Sequence, residues 1–301
     1  MTHVPSFSRA LGIALLTPLL AVAQSRIINV SARAVAGPNE KRLIVGFVLH
    51  GGTGTTPVLL RAAGPSLAEP PFNVPGTVAD PQLSLFAAGG LVISLNDDWG
   101  NPPSQVATLG EVMARVGAFP FTNNAGKDAA IYHTGLAARD YSAHVIASPA
   151  PGVALAEFYD AGDRDDAPRF INISTRADVG TGANVLIVGF YIRGAGTKSV
   201  LVRAVGPVLA RDPYNIPGTL ADPRLELHGS QGLLESNDNW GDRPDAATLP
   251  QVMVQAGAFP LTAGSKDAVL LASLSEGLYS VVISGVGNTT GVALAEVYEL
   301  Q

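Results

Sequence analysis

Most of this chain is written twice. Arg26-Ile-Ile-Asn-Val-Ser31 returns as Arg169-Phe-Ile-Asn-Ile-Ser174, and Leu43-Ile-Val-Gly-Phe47 returns unchanged as Leu186 to Phe190. Leu60-Arg-Ala-Ala-Gly-Pro65 matches Val202-Arg-Ala-Val-Gly-Pro207, and Asn96-Asp-Asp-Trp-Gly100 matches Asn237-Asp-Asn-Trp-Gly241. Lys127-Asp-Ala129 recurs at Lys266 to Ala268, and Gly152-Val-Ala-Leu-Ala-Glu157 at Gly291 to Glu296. The offset drifts only from 143 at Arg26/Arg169 to 139 at Gly152/Gly291, so a few single-residue gaps align the copies. Solenoid units repeat every 20–50 residues or so. A period this long marks a duplicated unit of ordinary domain size. The expected organisation is a leader over 1–23, one unit over 24–160, an acidic linker over 161–168 and a second unit over 169–301.

The pattern inside each copy is that of strands. Leu83 and Leu85 alternate with polar neighbours, as do Leu225 and Leu227 in the second copy. Leu43 to Leu49 is apolar on both faces, as in a central strand covered on each side. Gly51–Gly54 and Gly194–Gly196 read as hairpin turns, and Tyr279–Ile283 with Val292–Tyr298 as a closing strand pair. Glycine (33) and proline (22) are plentiful, as tight turns require. One helix per copy is expected: Thr108-Leu-Gly-Glu111 and Thr248-Leu-Pro-Gln251 have capping-box spacing. Leu109, Val112, Met113 and Val116 then form a stripe that Gly117 ends. The expected fold class is all-β, two tandem β-sandwich units (jelly-roll or Ig-like), each with a short helix over one end.

These strings, with Gly-Ala-Phe-Pro at 117–120 and 257–260, resemble an extracellular β-sandwich module of Verrucomicrobia-like bacteria, over essentially the whole chain after the leader. Leu225-Glu-Leu227, Ser236-Asn-Asp238 and Gly277-Leu-Tyr-Ser-Val-Val282 are distantly similar to the pre-peptidase C-terminal domain, a non-catalytic appendage of secreted proteases. Both resemblances imply a secreted, accessory role and no reaction.

Several residues are candidates for a site. Asn96, Asp97 and Asp98, with Asn237, Asp238 and Asn239 in the matching loop, offer the hard oxygens that calcium takes; Asp80, Asp128, Asp222 and Asp267 are candidates to join them. The alternative is that Asp and Asn here only cap turns. Asp160, Asp163, Asp165 and Asp166 form a second acidic cluster, in the linker. Trp99 and Trp240 are the only tryptophans. Exposed, they are sugar-stacking or partner-anchoring residues; buried, they plug the fold. Arg61, Arg203, Glu157 and Glu296 interrupt apolar strands, which predicts a buried Arg–Glu pair in each copy, or Arg pairing with Asp80 and Asp222.

The exclusions are chemical. With no cysteine there is no disulfide, thiolate metal site or cysteine nucleophile. A net charge of −6 without a basic stripe argues against nucleic acid. The G-x-S-x-G, H-E-x-x-H and Walker patterns are absent. His50 and His228 stand opposite Arg193 and Phe86, outside the repeated pattern. Arg9, the apolar run Leu11–Leu20 and Ala21-Val-Ala23 read as a secretory signal cleaved after Ala23. The expectation is a secreted, extracellular or periplasmic non-enzyme, structural, adhesive or surface-associated, with polysaccharide or another surface protein as candidate partners. A calcium-assisted carbohydrate-binding module and a hydrolase are the alternatives.

Overall fold

A computed structural model describes residues 25–121 and 123–300. The leader assigned to 1–23 lies outside the described residues. The chain is mostly β, with strands β1 (Arg26–Ala36), β2 (Leu43–His50), β3 (Thr55–Ala63), β4 (Pro81–Ala87), β5 (Leu91–Asn96), β6 (Ala129–Ala137), β7 (Arg139–Ala147) and β8 (Gly152–Asp160) in the first repeat. The second repeat holds β9 (Arg169–Val179), β10 (Leu186–Val205), β11 (Pro223–Gly229), β12 (Gly232–Asn237), β13 (Ala268–Gly285) and β14 (Gly291–Glu299). The helices are α1 (Pro65–Ala68), α2 (Val106–Arg115) and α3 (Leu249–Gln255).

The repeats share their sheets. The long strands β10 and β13 each serve two runs, one on either side of a break in their pairing after Ile192. One run is β6-β3-β8-β1, continued by the first part of β10, the last part of β13, then β11 and β12. The other is β5-β4-β7-β2, continued by β9, β14, the last part of β10 and the first part of β13. Each run therefore takes four strands from each repeat. The seams are equivalent: β1 pairs β10 from Arg26↔Arg193 to Arg33↔Ile187, and β2 pairs β9 from Ile44↔Arg176 to His50↔Arg169. At each seam a glycine faces a serine: an added Cβ at Gly46 would lie 2.5 Å from Ser174 Oγ, and at Gly189 2.5 Å from Ser31 Oγ.

One apolar core lies between the runs and draws on both repeats. Phe47 of β2 sits 5.6 Å from Phe158 and 5.6 Å from Phe170, ring centre to ring centre. β1 and β9 run parallel to one another, bridging at Ile27↔Phe170 and Val35↔Asp178. Toward the second bridge their buried residues are small, Ala32 and Ala34 on one and Thr175 and Ala177 on the other, which lets the two backbones approach. The result is a sandwich-like β fold closed around a shared centre.

Several sequence expectations are corrected. Gly51–Gly54 is no hairpin turn: β2 pairs with β7 and β9, β3 with β6 and β8. Positive φ at Gly51, Gly52 and Gly54 lets the chain cross from one run to the other, and Gly194 and Gly196 do the same inside β10. β13 and β14 do not pair with each other; β10 separates them. β2 alternates buried and half-buried residues, and burial on both faces is found instead in β3 and β8. The capping boxes do not form. α2 begins two residues before Thr108, and Thr248 turns its hydroxyl to the Asp245 carbonyl at 2.9 Å. The helix stop at Gly117 holds, with a φ of 73° and the next N–H reaching back to Met113, and the structure repeats it at Gly257, with a φ of 71° and Met253.

Candidate functional site

The helices cover a face of the sandwich, where the sequence reading put them at one end. Leu59 and Ala63 of β3, Ala130 of β6 and Tyr159 of β8 point away from the shared core and pack under Leu109, Val112 and Met113 of α2. Leu201, Val269 and Tyr298 pack under Leu249 and Met253 of α3 in the same way. Each repeat thus has a second, outer core, and its polar candidates gather there.

Arg61 and Arg203 are fully buried in these outer layers. Arg61 Nε donates to Glu157 Oε2 at 3.0 Å and Nη2 to the same oxygen at 2.5 Å, while Nη1 donates to the Phe119 carbonyl. The guanidinium lies 4.1 Å from the Phe119 ring centre and 4.3 Å from that of Phe121. Arg203 Nε donates to Glu296 at 2.8 Å and Nη1 to the Phe259 carbonyl at 2.5 Å, with the Phe259 ring at 4.2 Å. Tyr159 and Tyr298 complete the set, donating to Glu157 and Glu296 at 2.7 and 2.6 Å. Arg therefore pairs with Glu, and not with Asp80 or Asp222. The triad fastens the Gly-Ala-Phe-Pro loop after the helix onto the sheet.

Burial, then the neighbouring glutamate, pushes both tyrosine hydroxyls far above their ordinary pKa. A folded-state value above the unfolded one, about 10, gives a contribution that is whole below about pH 10 and is lost as pH rises through that range. Urea unfolding at stepped pH is expected to show stability falling steeply above about pH 10. The Tyr159→Phe/Tyr298→Phe variant, less stable at neutral pH, should lose less over that interval. An equally steep fall in the variant would assign the alkaline loss to other groups.

The tryptophans are plugs. Trp99 is 3% exposed and donates its indole N–H to the Asn123 carbonyl at 3.0 Å; Trp240 is 8% exposed and donates to Ser265 Oγ at 3.3 Å. Neither ring presents a face to solvent for stacking on a sugar.

Of the carboxylates expected to hold calcium, Asp98, Asp128, Asp222 and Asp267 are engaged by the protein itself. Asp128 accepts from Gly64 N (2.8 Å), Ser66 N (3.2 Å) and Ser66 Oγ (2.6 Å); Asp267 accepts from Gly206 N (2.9 Å) and Ser265 Oγ (2.6 Å). The hydroxyl donor has moved between copies, from Ser66 (opposite Val208) to Ser265 (opposite Gly126), and the carboxylate keeps one in each. Asn96 and Asn237 close their own loops, donating to the Asp98 and Asn239 carbonyls at 3.0 Å each and accepting from Ala130 N and Val269 N. Lys127 donates to Asp98 at 3.0 Å, and its pKa is raised by Asp98 first, then Asp80 and Asp97. Lys266 pairs with Asp222 and is raised by it, then by Asp238. The repeated lysine thus faces the acidic loop in each copy. The Asn239 side chain donates to Asp238 at 3.5 Å. In the linker region Asp165 meets Arg26 at 3.4 Å and Asp166 meets Arg164 at 2.7 Å. Among the described residues, no three His, Asp or Glu side chains come together to hold a metal ion.

Sequence reasoning named Asp160 and Asp163 only as linker acids and missed the place they help to line. A cavity of about 470 Å³ opens where the repeats meet, lined by Arg115, Tyr132, Asp160, Asp163 and Arg193 among others. Its residues come from both repeats across the β1–β10 seam, and no single sequence window contains them.

No family model matches the chain, and no curated protein does. Among solved structures, the STIV MCP is 10% identical with a TM-score of 0.20, over 92% of this chain and 96% of that one. A DUF4785 family protein from Legionella pneumophila is 9% identical with a TM-score of 0.22, over 98% of this chain and 70% of that one. Likenesses at these scores carry no argument about fold or function.

Proposed function

We propose that the protein is an exported, non-catalytic scaffold of duplicated jelly-roll or Ig-like β-sandwich units, with a structural, adhesive or surface-associated role. One observation carries this reading. Five pairs of polar residues written into both repeats, Arg61/Arg203, Glu157/Glu296, Tyr159/Tyr298, Asp128/Asp267 and Asn96/Asn237, are spent on holding strands and loops together. The duplication thus repeats a fold-holding device. The signal pattern of the first 23 residues and the likeness to extracellular sandwich modules support export. Among the described residues, no helix is long and apolar enough to cross a membrane.

Surface association has a physical basis in the end strands. Among the described residues, β5 pairs only with β4, and β12 only with β11. Leu91, Val92 and Leu95 on β5 and Leu233 and Leu234 on β12 are about half to two-thirds exposed. Open apolar edges of this kind favour association with other chains. Expression of the full chain in a bacterial host should yield a product beginning at Gln24, outside the cytoplasm and partly bound to the envelope. Leu91→Lys/Leu95→Lys should move the bound fraction into the soluble one. A cytoplasmic product that keeps Met1 would refute export. A bound fraction indifferent to the lysines would remove the edge from the account.

A further inference from the structure

The duplication supplies an internal control for the cavity at the seam. In the second repeat the position of Asp160 is held by Glu299, fully buried and ion-paired with Arg169 and Lys198 at 3.0 Å each. In the first repeat the acid is one methylene shorter, and Thr56 stands in place of that lysine. Asp160 accepts from Thr56 Oγ1 at 3.2 Å and Gly162 N at 3.0 Å, and the Arg26 guanidinium stays 4.0 Å away. Around it, Arg115, Tyr132 and Arg193 replace Gln255, Leu271 and His50. This cavity thus has two guanidinium groups, Arg115 of the first repeat and Arg193 of the second, and a phenol where the equivalent place has a neutral amide, an imidazole and a leucine.

The two arginines are not consumed by the fold. Arg115 gives one hydrogen bond, to the Ala161 carbonyl at 3.1 Å, and Arg193 makes no ion pair within 4.0 Å among the described residues. Both are solvent-exposed, so neither is held there by burial. Two guanidinium forks at one cavity fit a carboxylate, which they bind by paired charge-assisted hydrogen bonds. The remaining lining is of the opposite kind. Asp160 is a buried acceptor with its pKa raised by that burial, Asp163 is exposed, and Tyr132 offers a ring and a hydroxyl. Acceptors beside an anion site suit a ligand that carries hydroxyl donors next to its carboxylate. The volume lies in the range of small-molecule sites, about 300–1,000 Å³.

We propose that this cavity binds a sugar acid, a pyranose whose carboxylate is taken by Arg115 and Arg193 and whose hydroxyls donate to Asp160 and Asp163. The ring packs against Tyr132. A ligand site here adds to the scaffold role and does not depend on it, because the arginines lie outside the repeated fold-holding set.

Calorimetric titration of the protein with D-galacturonate and D-glucuronate tests the assignment, with methyl galacturonate ester, galactose and glycine as controls. The expected result is saturable binding of at least one uronate, weakened at least about tenfold in the ester and in the neutral sugar. Arg115→Gln and Arg193→His install the residues of the other repeat at exposed positions. Each should weaken binding about tenfold or more while the melting temperature stays that of the wild type. No binding of either uronate at tens of millimolar overturns the proposal. So does binding that survives both substitutions, or glycine binding as tightly as the uronate, which would make the site one for zwitterions. Envelope association is read separately, so its failure leaves this result standing and the reverse holds too.

Discussion

Arg203→Met is expected to lower the unfolding free energy by about 3–5 kcal/mol, as measured by urea denaturation, because it leaves a buried carboxylate without its cation. Glu296 is 4% exposed, and after the substitution it keeps the hydrogen bond from the Tyr298 hydroxyl and no cation. The Phe259 carbonyl loses its donor as well. The loss belongs to breaking the pair and not to its net worth. Hence Arg203→Met/Glu296→Leu/Tyr298→Phe, which removes charge and hydroxyl together, should recover most of it. The same series at Arg61, Glu157 and Tyr159 should behave alike, since the first repeat builds the same contacts. An Arg203→Met variant as stable as wild type would place that side chain in water.

Trp99→Ala is expected to cost a similar amount, about 3–5 kcal/mol, the usual penalty for emptying a large aromatic site. The ring fills the outer core beside Phe121, 5.8 Å away between ring centres, and the truncation also strips the Asn123 carbonyl of its donor. Trp99→Phe should lie between the two. Thermal unfolding of the three proteins checks the order. A harmless Trp99→Ala would mean that the indole contributes nothing to packing, and would return it to the list of ligand-stacking residues.

The parts of this fold that the sequence made legible are those that depend on a residue's own neighbourhood. Arg61 and Glu157 stand out because a charge in an apolar strand must be paired or exposed, and the repeat of both narrows the choice. The helix stop at Gly117 is legible because a residue free to take positive φ closes a helix that way. The neighbours of each strand were not legible. Period-2 alternation fixes which face of β2 is buried, and says nothing of whether its edge meets β3 or β9. Gly51–Gly54 has the composition of a hairpin turn, yet positive φ serves a crossing between sheets equally well. The capping boxes failed for a related reason: the spacing around Thr108 is right, but the helix starts at Val106 and places that hydroxyl inside the first turns. The seam cavity joins residues from β1, β3, α2, β6 and β10, so only the paired sheets bring it into view.

The central claim is that the two repeats fold as one body, joined at both seams and around one core. Unfolding read separately in each repeat tests it most directly. Trp240→Phe leaves Trp99 as the sole tryptophan, in the first repeat; Trp99→Phe leaves Trp240, in the second. Adding Arg203→Met, a lesion confined to the second repeat, to each single-tryptophan protein should lower both fluorescence midpoints together and by the same amount, as one cooperative transition requires. A Trp99 midpoint that stays in place while that of Trp240 falls would mean that the repeats unfold independently and that the seams do not bind them into one.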